Sequence, residues 1–471
     1  MSPPKPSFMK KLPFASAALA PLLFLASPTQ AAPAPDRIEV LRDAALKDDL
    51  AWEITEGLTT EVGARPAGTQ AEARARDWAV AKLKALGFSN VRVETFDMPV
   101  WVRGEEKAEI VAPFPQKLAV AALGNSGATT PEGLSAEVVG FESLADLEAA
   151  SDSSVKGKIV FVSHGMVATQ DGSGYGYYGG ARRMGPSIAA RKGAAGIVIR
   201  SIGTDYHRNP HTGVQRWADG VTPIPAGALS LPDADQLQRI LKRGKPVTMR
   251  LTLTPRNIGT QQSGNVIAEV PGRDPKAGIV LVGGHLDSWD LATGAIDDAT
   301  GVAITTAAAK RIMDAGKPLR TIRVVWFGAE EVGLYGGLDY LARHKDEKHA
   351  VIAESDLGAD RIFRFDSKAS AEAQPVVAEI ARALAPLGIV KGPTDRASGS
   401  DIGPLSASGV PTFQLAQDAT RYFDYHHTPD DTLDKVDPEQ LRQNVAAWTA
   451  MLAIAANAPV EFGPVPPTPS R

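Results

Sequence analysis

A chain of 471 residues with 50 Lys+Arg against 54 Asp+Glu carries a formal charge of −4, and its 44% hydrophobic and 22% charged content is ordinary for a folded protein. This balance excludes a mainly disordered, fibrous or multi-span membrane chain, and it speaks against a nucleic-acid partner, which would need a concentrated basic surface. With no Cys at all, disulfides, thiolate metal sites and cysteine nucleophiles are excluded, so any metal must be held by carboxylates and the 8 His.

The chain opens with Lys5, Lys10 and Lys11 ahead of an apolar stretch from Leu12 to Ala26, followed by Ser27-Pro28-Thr29-Gln30-Ala31. A basic head, a short apolar middle and a small-residue cut site predict a signal peptide over 1–31. The apolar run falls short of the ~20 residues a membrane span needs. The expected product is exported, periplasmic or extracellular, with no stable membrane anchor after cleavage.

Residues 32–116 read as the first part of a main domain. Ala-rich periodic stretches such as Ala71 to Val80 predict helices, broken by the turn Gly63-Ala64-Arg65-Pro66-Ala67-Gly68, and Val91 to Phe96 alternates as a half-buried strand would. From 117 to 255 short β-like runs separated by Gly and Pro predict an inserted α+β domain. It carries a Gly/Tyr-rich loop, Gly172 to Gly180, read as either a cleft rim or a contact in a homodimer. It also carries the loop His207 to Trp217, whose Arg208, His211 and Arg216 are candidates for holding a substrate terminus. His164, after a strand of the insert, has no evident partner.

Residues 256–460 take up a strand, loop, helix rhythm. The apolar runs Ile279 to Val282, Ile322 to Phe327 and His349 to Ala353 predict strands, with helices over Gly301–Ile312, Leu334–Arg343, Ala371–Ala385 and Pro438–Ala456. The fold class expected is α/β, a mostly parallel mixed sheet with helices on both faces. Residues 461–471 form a Pro-rich tail. His344 and His349, flanking a helix end, read as surface residues.

Three successive strands run into metal-type ligands: Gly284-His285-Leu286-Asp287-Ser288, Phe327-Gly328-Ala329-Glu330-Glu331 and Ala353-Glu354-Ser355-Asp356. Gly294-Ala295-Ile296-Asp297-Asp298 and Tyr425-His426-His427-Thr428-Pro429-Asp430-Asp431-Thr432 add two more clusters. A lone strand-end Asp is more often a helix cap. Five such clusters in the loops of one sheet are what an active site looks like, because functional groups gather at the carboxyl ends of parallel strands.

This constellation resembles the M28 family of co-catalytic zinc exopeptidases. The insert resembles the protease-associated domain of some members, and Trp289-Asp290 resembles the carboxypeptidase Q (plasma glutamate carboxypeptidase) branch. The resemblance implies two Zn²⁺ per chain. His285, Asp297 and Asp356 would hold one and Asp297, Glu331 and His427 the other, with Asp287 orienting the His285 imidazole. It further implies that Glu330 acts as general base on a shared water, that Asp297 and Asp298 are joined by a cis peptide, and that the substrate is a dipeptide or short peptide. An aminopeptidase acting on longer peptides stays open, as do, more remotely, a glutaminyl cyclase-like transferase and a non-catalytic receptor-like protein. Ile402 stands where many relatives have His after Ser-Asp, so Asp401 is not expected to be catalytic.

Overall fold

The computed structural model describes residues 1–2 and 37–467. The expected signal peptide falls outside the described residues, save for its first two, as do the last four residues of the tail. Residues 37–467 form one compact unit. Among the described residues no helix is long and apolar enough to cross a membrane.

In chain order the main layer is built from α1 (Arg37–Ala45), α2 (Leu50–Gly57), α3 (Gln70–Ala85) and β1 (Ser89–Val102). After an excursion the chain returns through β2 (Arg256–Val270), β3 (Ile279–His285), α4 (Thr300–Ala315), β4 (Thr321–Phe327), α5 (Tyr335–His344), β5 (His349–Glu354) and β6 (Ile362–Lys368). It ends with α6 (Gln374–Leu384), β7 (Val390–Lys391), β8 (Thr412–Gln417) and α7 (Pro438–Ala455). The strand order is β1-β2-β4-β3-β5-β8-β6-β7, with Asp395–Arg396 added against β6. Its centre, β4-β3-β5-β8, is parallel, whereas β1, β2 and β6 run antiparallel to their neighbours there. The sheet is therefore mixed, as expected.

The alternation of side chains along a strand decides which core each residue enters. On β3, Val280 and Val282 join the larger core with α2, α3, α4 and α7, while Leu281 joins a second cluster on the opposite face with Tyr340 of α5. Both faces are covered, so the central strands read as unbroken apolar runs.

The excursion forms a second sheet of eight strands. It begins at Glu106, eleven residues before the expected start at 117, because Glu106–Ala112 pairs with Thr248–Leu253. Its neighbours include Leu134–Phe141, Ile159–Val162 and Gly196–Arg200, and the helix Leu231–Leu241 packs Ala234, Leu237 and Ile240 into its core. Its apolar surface does not close on itself: Val160, Val162 and Ile197 belong to the same apolar cluster as the main sheet.

Three histidines differ from expectation. His344 is buried, with its ring nitrogens near Glu94 (2.8 Å) and Glu347 (3.1 Å). His349 is half-buried, with Nε2 2.9 Å from the Tyr340 hydroxyl. These partners are supplied by the fold, so the residues are network members and not surface groups. His164 does have partners, the rings of Tyr177 and Tyr178 at 5.4 and 4.8 Å.

Candidate metal centre

The carboxyl ends of β3, β4 and β5 converge. His285 ends β3 with 1% exposure, and its Nδ1 donates to the Asp287 carbonyl (2.9 Å), which leaves Nε2 facing Asp297 Oδ1 (3.0 Å) and Asp356 Oδ1 (3.5 Å). The expectation for Asp287 changes here. Its carboxylate stands 3.8 Å from the imidazole and instead accepts the backbone N–H groups of Glu330 (3.0 Å) and Glu331 (3.3 Å).

Asp297 lies in the loop before α4, and the Asp297–Asp298 peptide is cis. The Asp298 carboxylate accepts the N–H of His285 (3.0 Å) and of Gly301 (2.9 Å), so one side chain ties the end of β3 to the start of α4. Only glycine fits beside it: a Cβ at Gly284 would fall 2.3 Å from Asp298 Oδ2. Asp431 accepts the N–H of Ile296 (2.7 Å) and fixes the loop from the C-terminal side. Arg65 is fully buried and donates to the carbonyls of Leu286, Thr293 (2.6 Å) and Gly294 (2.8 Å).

His427, at φ +60°, presents Nε2 to Glu331 Oε2 (2.8 Å) and Asp297 Oδ2 (3.3 Å). Asp297 thus reaches His285 with one oxygen and His427 with the other. His426 stacks on His427 at 3.5 Å, with its Nε2 3.6 Å from Asp297 Oδ2. Ligand atoms of His285, Asp297 and Asp356 all lie within 4.8 Å of one another, and so do those of Asp297, His426 and His427. The second grouping admits His426 on proximity alone. The closer contacts of His427, to both Glu331 and Asp297, favour it over its neighbour.

The electrostatics call for a cation. Burial pushes the Glu330 carboxyl well up, and burial likewise brings Glu331 to about 7. Burial opposes charge on His285 and His427, yet the carboxylates around them win and both imidazoles are pushed well up. Burial raises Asp297 too, but hydrogen bonds from the two histidines hold it well below the usual carboxylate range. Protons thus take the place of positive charge among crowded acids. Among the described residues, Glu331 Oε1 is buried with no hydrogen-bond partner. Nitrogen and oxygen donors so arranged fit borderline divalent cations such as Zn²⁺.

A cavity of about 420 Å³ opens over these groups, lined by Glu330, Asp356 and Tyr422 on one side and by Tyr175, Arg182, Arg183 and Arg216 on the other. Of the three residues expected to meet a substrate terminus, only Arg216 lines it. Arg208 is exposed and paired with Asp233 (3.0 Å), because the loop turns it toward helix Leu231–Leu241. His211 is buried with Nε2 2.7 Å from Asp205 Oδ1. Arg65, Arg182 and Arg183 were missed, and the adjacent arginines after the Gly/Tyr-rich run were the available signal; Tyr175 comes from that run, one of whose two readings was a cleft rim. Asp401 is buried beside Glu354 and belongs to neither metal-facing group.

A parallel-centred α/β sheet with His and carboxylate donors at three strand ends defines a metal-dependent hydrolase. The sequence model of peptidase family M28 matches residues 265–452. Carboxypeptidase Q of Bos taurus is 34% identical over 403 residues, covering 85% of this chain and 84% of that protein. The crystal structure of a peptidase M28 precursor from Shewanella amazonensis superposes with a TM-score of 0.89 at 49% identity, over 92% of this chain and 98% of that one. A zinc aminopeptidase from Bacillus subtilis shares the fold, with a TM-score of 0.63 at 21% identity over 88% of this chain and 97% of that one. The chain belongs to peptidase family M28, and it is a metallopeptidase.

Proposed function

We propose that this protein is an exported two-zinc exopeptidase that hydrolyses dipeptides or short peptides, with Glu330 as general base. The observation that carries the reading is Asp297, whose two oxygens face His285 (3.0 Å) and His427 (3.3 Å). His285, Asp297 and Asp356 would hold one ion, and Asp297, Glu331 and His427 the other. Bound there, the ions supply a water of lowered pKa and polarise the scissile carbonyl.

The rest falls to the chain's own groups. The Glu330 carboxylate lines the cavity and accepts no hydrogen bond among the described residues, so it is free to take a proton from the attacking water and hand it to the leaving amine. Asp287 holds the backbone on which Glu330 stands. Arg216, exposed at the cavity wall and without a carboxylate partner among the described residues, suits a substrate's free carboxylate. The second sheet, read as a protease-associated domain, supplies that Arg. Removal of residues 1–31 would release the mature enzyme.

An acidic cavity also suits a substrate's ammonium group, which keeps an aminopeptidase as the second reading. A panel of free, amino-blocked and carboxyl-amidated dipeptides with aminoacyl anilides separates them. The proposed enzyme cleaves free dipeptides and loses most activity on carboxyl-amidated ones. Preference for anilides and longer peptides would favour the aminopeptidase.

A further inference from the structure

The two proposed metal positions are supported from different places. On the His285 side the supports come from loops of the main sheet alone: the Asp287 carbonyl accepts from His285 Nδ1 (2.9 Å), and Ser400 Oγ donates to Asp356 Oδ2 (3.0 Å). On the His427 side both supports lead to the second sheet.

Glu331 Oε2 accepts the indole N–H of Trp289 (2.7 Å), while Oε1 is buried with no partner among the described residues. An indole is a donor only, so this bond ties one oxygen of Glu331 and leaves the other to be presented. Trp289 is itself 9% exposed and lies against Gly124, where a Cβ would fall 2.4 Å from Cη2. Gly124 belongs to the second-sheet segment and bonds its neighbours there, through Gly213 O (3.0 Å) and Gln215 N (3.2 Å). Arg103 clamps the residue after the indole, bonding Asp290 through Nε (2.8 Å) and Nη2 (2.9 Å), and reaches Thr212 Oγ1 (3.1 Å).

Thr212 is the second support. Its carbonyl accepts from His427 Nδ1 (3.3 Å) and from the buried Arg182 (3.2 Å), and its N–H donates to the His427 carbonyl (3.0 Å). With Nδ1 so engaged, Nε2 is the nitrogen offered to Glu331 and Asp297.

We propose that Trp289 and Thr212 are the positioning residues of the Glu331–His427 metal position, and that this position alone depends on the second sheet. The inserted sheet thereby sets metal occupancy on one side of Asp297 as well as walling the cavity. The proposal rests on the two-zinc reading. It adds that the two ions separate in affinity when the contact between Gly124 and Trp289 is disturbed.

The test is zinc binding by the full mature chain, titrated against chelators of graded strength and read by metal analysis. Wild type binds two equivalents. Trp289→Phe keeps the ring and removes the N–H, and one equivalent weakens by roughly 10–100-fold while the other keeps its wild-type affinity. Gly124→Ala pushes the indole off Glu331 and gives the same one-sided loss, which covers the case in which Trp289→Phe does not fold. Ser400→Ala weakens the opposite equivalent. Equal weakening of both equivalents in folded Trp289→Phe and Gly124→Ala, or none in either, overturns the proposal. A wild type that binds fewer than two overturns the two-zinc reading first.

Discussion

The carboxylate of Asp287 accepts the backbone N–H groups of Glu330 and Glu331 together, at 3.0 and 3.3 Å. One fully buried acid after β3 therefore sets the turn after β4, where the proposed base and a proposed metal ligand stand side by side. The turn needs that anchor, since Ala329 sits at φ +58°, a conformation unfavourable to residues with a Cβ.

The pair Glu330 and Glu331 should respond differently to the same substitution. Glu330→Gln is expected to keep both zinc ions and lose roughly 10²–10⁴-fold in kcat, because only proton transfer is removed. Glu331→Gln is expected to lose zinc as well. Steady-state kinetics beside metal analysis reads both, and equal zinc loss in the two variants would reverse the assignment.

His427 and His426 make a second pair. His427→Ala should release one zinc equivalent, since its Nε2 lies 2.8 Å from Glu331 and 3.3 Å from Asp297. His426→Phe should keep both, because that ring is packed among Tyr175, Tyr422 and Phe423 and an aromatic replacement preserves the packing. Loss of zinc in His426→Phe with retention in His427→Ala would exchange their roles.

Arg216→Ala should raise KM for free dipeptides by about tenfold, the equivalent of one exposed charge-assisted bond of about 1.4 kcal/mol, and leave carboxyl-amidated substrates unchanged. Arg208→Ala is the control, being paired with Asp233 outside the cavity. A KM that moves equally for both substrate types would remove the carboxylate from the account.

Much of this site was legible because it obeys one local rule. Three of the loops that bear proposed site residues follow an apolar run long enough to be read as a buried strand, so His285, Glu330, Glu331 and Asp356 could be placed before any coordinates, whereas His427 was placed by the family resemblance. What escaped was whatever depends on distant pairing. The strand Glu106–Ala112 is rich in Glu and Lys and is recognisable only beside Thr248–Leu253. Arg65 looks like a turn residue until its guanidinium meets carbonyls more than two hundred residues away. His344 reads as exposed because its partner Glu94 lies 250 positions earlier.

The network around β4 and α5 carries a pH signature of its own. Burial, with Arg323 beside it, pushes the His349 imidazole down to about 4 from an ordinary 6.5. Between those values the unfolded chain binds the proton and the folded chain does not, so this group's contribution to stability is intact above pH 6.5 and lost as pH falls toward 4. Denaturant titrations at pH 7 and 4.5 should show wild type losing up to about 2–3 kcal/mol more than His349→Gln over that interval. Parallel losses in the two proteins would mean that His349 is not held neutral.

In the proposed enzyme two zinc ions flank Asp297. Anomalous diffraction at the zinc edge from crystals of the mature protein tests it most directly. Two peaks are expected, one bounded by His285, Asp297 and Asp356 and the other by Asp297, Glu331 and His427, both retained in Glu330→Gln. A single peak, or none, from crystals of protein that still hydrolyses free dipeptides would contradict it.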